Sequence, residues 1–460
     1  MAKPIVSSVR SQLTFEPVDA SCPVQGTVMD QIGQGSFGLH LLQNSAEFAA
    51  LCAEHHVQTV PSASKVPDVL REWVAAGAED AFYVCDLSVV LRKLHEWQLY
   101  LPRVRPHYAV KCNPDPFIVR ALALAGAGFD CASKSEISLA LSCGVPSEDI
   151  IFANPCKQNS TVRFAHQKGV KQMTFDNPVE LAKIKSISPD AELVLRLAVD
   201  DSQSLCRFNS KFGVRPEDCE ELLAAAKELD LDVAGVSFHV GSGCSSVTSF
   251  RDAVVSAKTV FDQATALGFK MRLLDLGGGF PGSDSGTLTF ESIALALSGA
   301  LEEHFPAASG VRIIAEPGRY FVSESHTLAT CIISKRQLPA DEEAGPMLCA
   351  DAAQEPEVAY YLNDGVYGSF NCVVFDHAEV VPRLLSPSAN ATERPSKLFG
   401  PTCDSVDVLM ASVPLLEAEV GDWLYFTNMG AYTRSAASQF NGFEVPPCKY
   451  VMSVDGLSGS

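Results

Sequence analysis

In His107-Tyr-Ala-Val-Lys-Cys-Asn-Pro-Asp115, Lys111 ends a short apolar run, Tyr108 to Val110, and a turn signal, Asn113-Pro114, follows at once. An amine there is expected to be desolvated. Its pKa then falls, and the neutral form is a nucleophile. Such an amine condenses with an aldehyde cofactor. The plainer alternative is a strand-end lysine whose stem lies on the protein while its head reaches water.

Other stretches supply what an aromatic, phosphorylated aldehyde would need. Leu274-Asp-Leu-Gly-Gly-Gly-Phe-Pro-Gly282 sets three glycines, ending at Gly279, behind a strand-like run, and Phe238-His-Val-Gly-Ser-Gly243 adds a second such turn with a hydroxyl at Ser242. Glycine lets backbone N–H groups close on an anion, as a phosphate cradle requires, although a plain tight turn uses the same residues. His239, at a strand end, could lie flat on an aromatic ring. Ala315-Glu-Pro-Gly-Arg-Tyr320 places Glu316 at another strand end. A buried carboxylate needs a partner, and a protonated pyridine nitrogen would serve, keeping the ring an electron sink. Arg319 could reach a phosphate with its planar fork or pair with Glu316. Pyridoxal phosphate meets all of these demands.

Gly400-Pro-Thr-Cys-Asp-Ser-Val-Asp407 holds Cys403 in a turn beside acids. A thiol beside carboxylates has a raised pKa and stays protonated, ready to donate; the alternative is an ordinary loop cysteine. Asp364-Gly-Val-Tyr-Gly-Ser-Phe-Asn-Cys372 and Phe375-Asp376-His377 add aromatic walls and another acid. Asp376 and Asp404 suit a substrate with a distal ammonium group.

These residues need a scaffold that brings them together. Short β-rich runs, each followed by a helical segment, recur at Tyr108–Cys112, Phe129–Ala132, Ile150–Ala153, Gln172–Phe175, Leu193–Val199, Val233–Val240, Arg272–Leu276 and Arg312–Ala315. Nearly continuous apolar strands in such a rhythm imply a parallel sheet covered on both faces. Eight units predict a (β/α)₈ barrel, with a doubly wound open sheet as the alternative. The runs end in Lys111, Asp130, Asn154, Asp176, Arg196, His239, Gly277 and Glu316, and barrel chemistry sits at the C-terminal ends of strands. Beyond Tyr320, strand-like runs (Leu328–Ile333, Val373–Phe375, Trp423–Thr427) alternate with Pro/Gly/Asp turns, which predicts an antiparallel β domain. The expected organisation is a flexible tail over 1–40, a segment joining the β domain over 41–85, the cofactor-binding barrel over 86–323 and the β domain over 324–460. Helical spacing from Leu41 to Arg71 is interrupted by Pro61 and Pro67.

Composition narrows the function. A net charge of −20 argues against nucleic acid, whose phosphates need a basic patch, and is compatible with a cationic small substrate. No apolar stretch approaches the length of a membrane span. The 15 cysteines include no Cys-x-x-Cys pair, which predicts a reducing, cytoplasmic location with no disulfide framework and no metal site.

Together, Ala109-Val-Lys-Cys-Asn113, His239-Val-Gly-Ser-Gly243, Gly277-Gly-Gly279, Glu316-Pro-Gly-Arg319, Tyr367-Gly-Ser-Phe-Asn371, Gly400-Pro-Thr-Cys-Asp404 and Gly430-Ala-Tyr-Thr433 resemble the eukaryotic ornithine decarboxylases, from about Phe82 to Phe443. The resemblance implies a fold type III pyridoxal-phosphate enzyme that converts L-ornithine to putrescine and CO₂. Lys111 would hold the cofactor as a Schiff base, Glu316 would pair with the pyridine nitrogen and His239 would stack on the ring. Ser242, Gly279, Arg319 and Tyr432 would bind the phosphate, with Asp130 and Arg196 as supporting charges. Phe375 and Asp376 of one subunit and Asp404 of the other would meet the substrate, and Cys403 would protonate the product from across a homodimer interface. Lys211 and Asp407 match an inter-subunit ion pair. Ser405, Phe375 and Arg434 depart from the pattern of animal members. Lysine/ornithine and arginine decarboxylases are rivals, diaminopimelate decarboxylase a weaker one, and a catalytically inactive, regulator-binding homologue belongs to another class.

Overall fold

The computed structural model describes residues 45–284, 288–339 and 355–454; the expected tail over 1–40 lies outside them. The first described helix, Ala46–Glu54, is capped by Ser45, whose Oγ accepts from the Phe48 N–H at 3.3 Å. Strand β1 (Gln58–Val60) follows. Pro67 then falls in the first turn of a second helix, Val66–Ala75, where its missing N–H costs nothing. Strand β2 (Phe82–Asp86) leads into the helix Leu87–Tyr100.

The strand–helix rhythm then begins with β3 (Val104–Ala109), β4 (Gly128–Cys131), β5 (Ile150–Phe152), β6 (Gln172–Phe175) and β7 (Glu192–Leu197). After β8 (Ser204–Cys206) it continues with β9 (Asp232–Phe238), β10 (Ser242–Cys244), β11 (Leu273–Asp275) and β12 (Arg312–Ala315). Strands β8 and β10 form a small antiparallel pair of their own. The other eight close into an all-parallel barrel, with β12 pairing back onto β3 and β9 onto β11, so the open-sheet alternative is excluded. Local signals start the surrounding helices. Asp115 caps Pro116–Leu124, Ser133 caps Lys134–Ser142, Asn177 caps Pro178–Ile187, and Thr289 with Ser292 forms a capping box on Phe290–His304. Each cap satisfies an N–H that the helix leaves unpaired.

Inside the barrel, Ile151, Val194, Leu273 and Ile314 make an apolar cluster. Side chains two residues apart share a strand face, so Arg196, Asp275 and Glu316 stand directly above Val194, Leu273 and Ile314. A dry floor therefore carries a charged layer at the strands' C-terminal ends. Strand β3 stops at Ala109, and Lys111 lies on a short 3₁₀ turn, Val110–Cys112, rather than in the strand. The chain leaves the strand here because Pro114 cannot continue the ladder, and the Asn113 side chain is drawn to the Gly430 carbonyl at 2.9 Å.

The second layer is a nine-stranded sheet of β1, β2, β13 (His326–Gln337), β14 (Val358–Leu362), β15 (Arg383–Leu384), β16 (Glu393–Phe399), β17 (Val408–Leu416), β18 (Trp423–Phe426) and β19 (Cys448–Ser453). Its pairings are antiparallel except β1–β19, β19–β2 and β14–β16. Two of these exceptions arise because strands from before the barrel join a sheet built mostly after it. The run Val373–Phe375, predicted as a strand, belongs to a helical turn, Asn371–Phe375. Asp364 accepts from Gly365 N (2.8 Å) and Ser369 N (3.1 Å), and Asn371 donates to the Gly368 (2.7 Å) and Thr433 (2.6 Å) carbonyls. This tight turn overrides the β propensity of the two valines.

A register shift in the β7–β9 pairing, where Leu193 meets Val233 but Val194 meets Gly235, brings Gly235 close to β11. A Cβ on Gly235 would lie 2.0 Å from the Leu273 carbonyl oxygen. Gly235→Ala is expected to destabilise the barrel by about 1–3 kcal/mol, the usual cost of overpacking, read as a lower thermal midpoint; an unchanged midpoint would contradict this packing.

Candidate active site

The barrel register assembles the charged layer. Ala109 pairs with Asp130 across β3 and β4, so Lys111, just beyond, reaches the Asp130 carboxylate in an ion pair. Asp130 is fully buried, while Lys111 retains 41 % side-chain exposure towards the barrel mouth. Asp275 pairs with Ile314 across β11 and β12, which sets Glu316 one step above Asp275 on the same face. Burial lowers the Lys111 pKa, but Asp130, then Tyr432 and Glu316, outweigh it and hold the amine above the ordinary lysine value. The expected fall in the Lys111 pKa is therefore corrected: the neighbouring strand supplies a carboxylate, and without cofactor Lys111 is an ammonium ion.

The carboxyls behave oppositely. Burial, followed by repulsion from Asp275 and Asp130, pushes Glu316 well above the usual glutamate range. Burial raises Asp275 to about 6. Asp130 Oδ1 is buried and has no hydrogen-bond partner, while Asp275 and Glu316 face each other closely enough to share a proton. Three buried carboxyls together beside an amine fit a ligand that brings an N–H or a positive charge. Asp275 falls inside the predicted strand run Arg272–Leu276 and is given no role there. Its signal was an acid inside a strand apolar on both sides.

His239 is half-buried, and desolvation of its ring, then the charges of Arg196 and Lys111, hold its pKa well below the usual 6.5. Its ring is therefore neutral. The Gly241 N–H donates to His239 Nδ1 at 3.0 Å, which leaves the proton on Nε2. A Cβ on Gly278 would lie 2.7 Å from Nε2, and one on Gly279, at φ +107°, would lie 2.7 Å from the Gly241 oxygen. The two glycine-rich turns thus pack backbone against backbone beside the imidazole, as a phosphate cradle requires. Arg319 donates through one terminal nitrogen to Ser242 Oγ (2.9 Å) and to Asp376 Oδ1 (2.7 Å) and Oδ2 (2.9 Å). Its guanidinium lies 5.0 Å over the Tyr432 ring. Tyr432 sits at φ +54°, a strained backbone for a bulky residue, and its N–H is tied to the Cys112 carbonyl at 3.0 Å.

Lys111, Asp130, Arg196, His239, Ser242, Gly279, Glu316, Arg319, Tyr432 and Asp376 thus belong to one neighbourhood. Cys403, Asp404 and Phe375 are not drawn into it within the chain. Asp404 accepts from the Tyr367 hydroxyl, the Cys403 N–H donates to Asn441 at 2.9 Å, and Phe375 is 71 % exposed. Asp407, matched in sequence to an inter-subunit ion pair, is also tied down within the chain. It is buried and accepts from Val366 N (2.8 Å), Thr402 N (2.9 Å) and Thr402 Oγ1 (2.7 Å). Arg434, a departure from the animal pattern, pairs with buried Asp115 at 3.0 Å.

Residues 87–323 match the family model described as pyridoxal-dependent decarboxylase, pyridoxal binding domain. The chain belongs to the pyridoxal-dependent decarboxylases. This decarboxylase is 50 % identical to ornithine decarboxylase of Mus musculus over 390 residues, 84 % of this chain and 83 % of the mouse protein. It is 48 % identical to antizyme inhibitor 2 of Xenopus laevis over 389 residues, 84 % of each chain. Among solved structures, the arginine decarboxylase of Paramecium bursaria Chlorella virus superposes with a TM-score of 0.77 at 34 % identity, covering 84 % of this chain and all of that one.

The raised Asp275 carboxyl makes a testable statement about pH. Its folded pKa lies above the unfolded value of about 3.9, so its contribution to stability is fully present below about pH 4 and lost as pH rises through about 6. Asp275→Asn removes that loss and keeps an acceptor for the Gly277 N–H, now 2.9 Å from Asp275 Oδ1. The thermal midpoint of the cofactor-free variant, relative to wild type, should rise between pH 4 and 6 and then level off. A pH-independent difference would contradict the assignment.

Proposed function

We propose that this decarboxylase converts L-ornithine to putrescine and CO₂ with pyridoxal phosphate, in active sites shared between two subunits. The observation that carries this reading is the convergence of Lys111 with three buried carboxyls, Asp130, Asp275 and Glu316. The relatives named ornithine decarboxylase support the choice of substrate.

When bound, pyridoxal phosphate supplies the aldehyde and the electron-withdrawing ring that make loss of CO₂ from an amino acid feasible. Lys111 would tether the aldehyde carbon, and Asp130 would steady the positive charge there. Glu316 would hold a proton at the ring nitrogen. Asp275 behind it raises its proton affinity, so the proton is kept. Neutral His239 would cover a ring face without adding a competing charge. Ser242, Gly279, Arg319 and Tyr432 would hold the phosphate, and Arg196 would sit beside the ring as a supporting charge.

Asp376 would grip the substrate's distal ammonium from one side and Asp404 from the other, with Phe375 as a wall. Cys403 would return a proton to the substrate's α-carbon. Because Cys403 and Asp404 are hydrogen-bonded to Asn441 and Tyr367 and not to Lys111 or the groups around it, we assign both to the partner's site in a homodimer. We place the enzyme in the cytoplasm, a reading supported by thirteen free cysteines among the described residues. Likeness to antizyme inhibitor 2 favours a regulator-binding, inactive homologue; the intact Lys111–Asp130 pair and the buried Glu316 favour the enzyme.

Lys111→Ala is expected to abolish turnover, and near-normal CO₂ release would overturn the cofactor role. Mixing inactive Lys111→Ala with inactive Cys403→Ala chains should restore about a quarter of wild-type activity, because half of randomly paired dimers carry one intact site. No recovery after verified subunit exchange would refute sharing. Lysine is one methylene longer than ornithine, worth only about 1–3 kcal/mol in discrimination, so diamine products should be compared after incubation with ornithine, lysine and arginine. Ornithine should be turned over most efficiently; a preference for lysine or arginine would reassign the substrate.

A further inference from the structure

Arg319 is expected to meet the cofactor phosphate and Asp376 the substrate's ammonium, yet the two side chains are bonded to each other. The same Arg319 terminal nitrogen lies 2.9 Å from Ser242 Oγ and 2.7 and 2.9 Å from the two Asp376 oxygens. That nitrogen has two protons: one meets Ser242 and the other is shared by the carboxylate. The pair is mostly enclosed, with 20 % of the Arg319 and 12 % of the Asp376 side chain exposed. It is therefore not one of the solvent-exposed pairs that contribute almost nothing. The guanidinium also lies over Tyr432 at 5.0 Å, so two further phosphate candidates, Ser242 and Tyr432, touch this one group. Within the chain, the anion that meets Arg319 beside Ser242 is the Asp376 carboxylate.

We propose that Asp376 governs cofactor affinity as well as substrate binding: its carboxylate opposes the phosphate at Arg319 until an ammonium group on the substrate neutralises it. This rests on the reading of Arg319, Ser242 and Asp376 given above. Two anions at one guanidinium nitrogen compete for its protons and repel each other. A cation bound to Asp376 removes both effects. Linkage is reciprocal, so the cofactor phosphate must strengthen diamine binding by the same factor that a diamine strengthens phosphate binding. An empty site would then hold its cofactor less tightly than one engaged with substrate.

The test uses full-length protein stripped of cofactor, with binding of inorganic phosphate measured by calorimetry and of pyridoxal phosphate by its absorbance. Asp376→Asn should bind phosphate about 5- to 150-fold more tightly than wild type, the usual span of coupling between sites. Asp376→Glu, which keeps the charge, should stay near wild type. Putrescine should tighten phosphate binding to wild type and leave Asp376→Asn unchanged. Equal or weaker phosphate binding by Asp376→Asn would overturn the proposal, as would no effect of putrescine on wild type. If wild type develops the absorbance of a Lys111-bound cofactor, such a failure lies in the Asp376 coupling alone. If that absorbance never forms, the functional reading fails first and this inference with it.

Discussion

Three carboxyls, the Lys111 ammonium ion and the Arg196 guanidinium share the mouth of a barrel that is dry beneath them, and the structure is built around that electrostatic imbalance. Burying a carboxylate without a partner is costly, and here only Asp130 has the Lys111 ammonium beside it. Burial and the neighbouring acids push Glu316 well above the usual range and Asp275 to about 6, so the pair answers the shortage by holding a proton between them. A site of this kind stores affinity for a positive charge: a ring nitrogen bearing a proton relieves repulsion that the protein otherwise endures. The apolar floor of Ile151, Val194, Leu273 and Ile314 sustains the effect by excluding water from below.

The turn bearing Lys111 is held from the β domain as much as from the barrel. Asn113 donates to the Gly430 carbonyl at 2.9 Å, while Tyr432 N (3.0 Å) and Ser435 Oγ (3.1 Å) both donate to the Cys112 carbonyl. Arg434 at 3.0 Å and the Tyr450 hydroxyl at 2.7 Å both meet Asp115. The amine is thus positioned by a loop more than 300 residues away in sequence, which also presents Tyr432 to Arg319. Barrel and sheet act as one frame around the site.

Much of this was legible in the chain itself. Eight apolar runs separated by helical spacers specify a parallel barrel because both the spacing and the burial of such strands are local properties. The polar residues at their ends pointed to the mouth for the same reason. Asp275 escaped notice because it lies inside a predicted strand run and not at its end, and only closure of β11 against β12 shows it facing Glu316. The ionisation of Lys111 was misjudged because burial was visible in the sequence while the register with Asp130 was not. The Arg319–Asp376 contact joins residues 57 positions apart, and no periodicity links them. The turn that makes Asn371–Phe375 helical likewise depends on the distant Thr433 carbonyl.

The last described strand, β19, lies between β1 and β2, parallel to both, and Ser453 N donates to Asp86 Oδ1 at 3.2 Å at the start of the helix that enters the barrel. The sheet therefore cannot close until β19 has left the ribosome, whereas every barrel strand is available long before. During synthesis β2 waits with one edge unpaired, and exposed edges invite pairing with other chains. A nascent chain that stalls before Cys448 would hold a finished barrel beside an open sheet. Such a product is poised to associate wrongly with its neighbours, and β19 serves as the molecule's own seal against that fate.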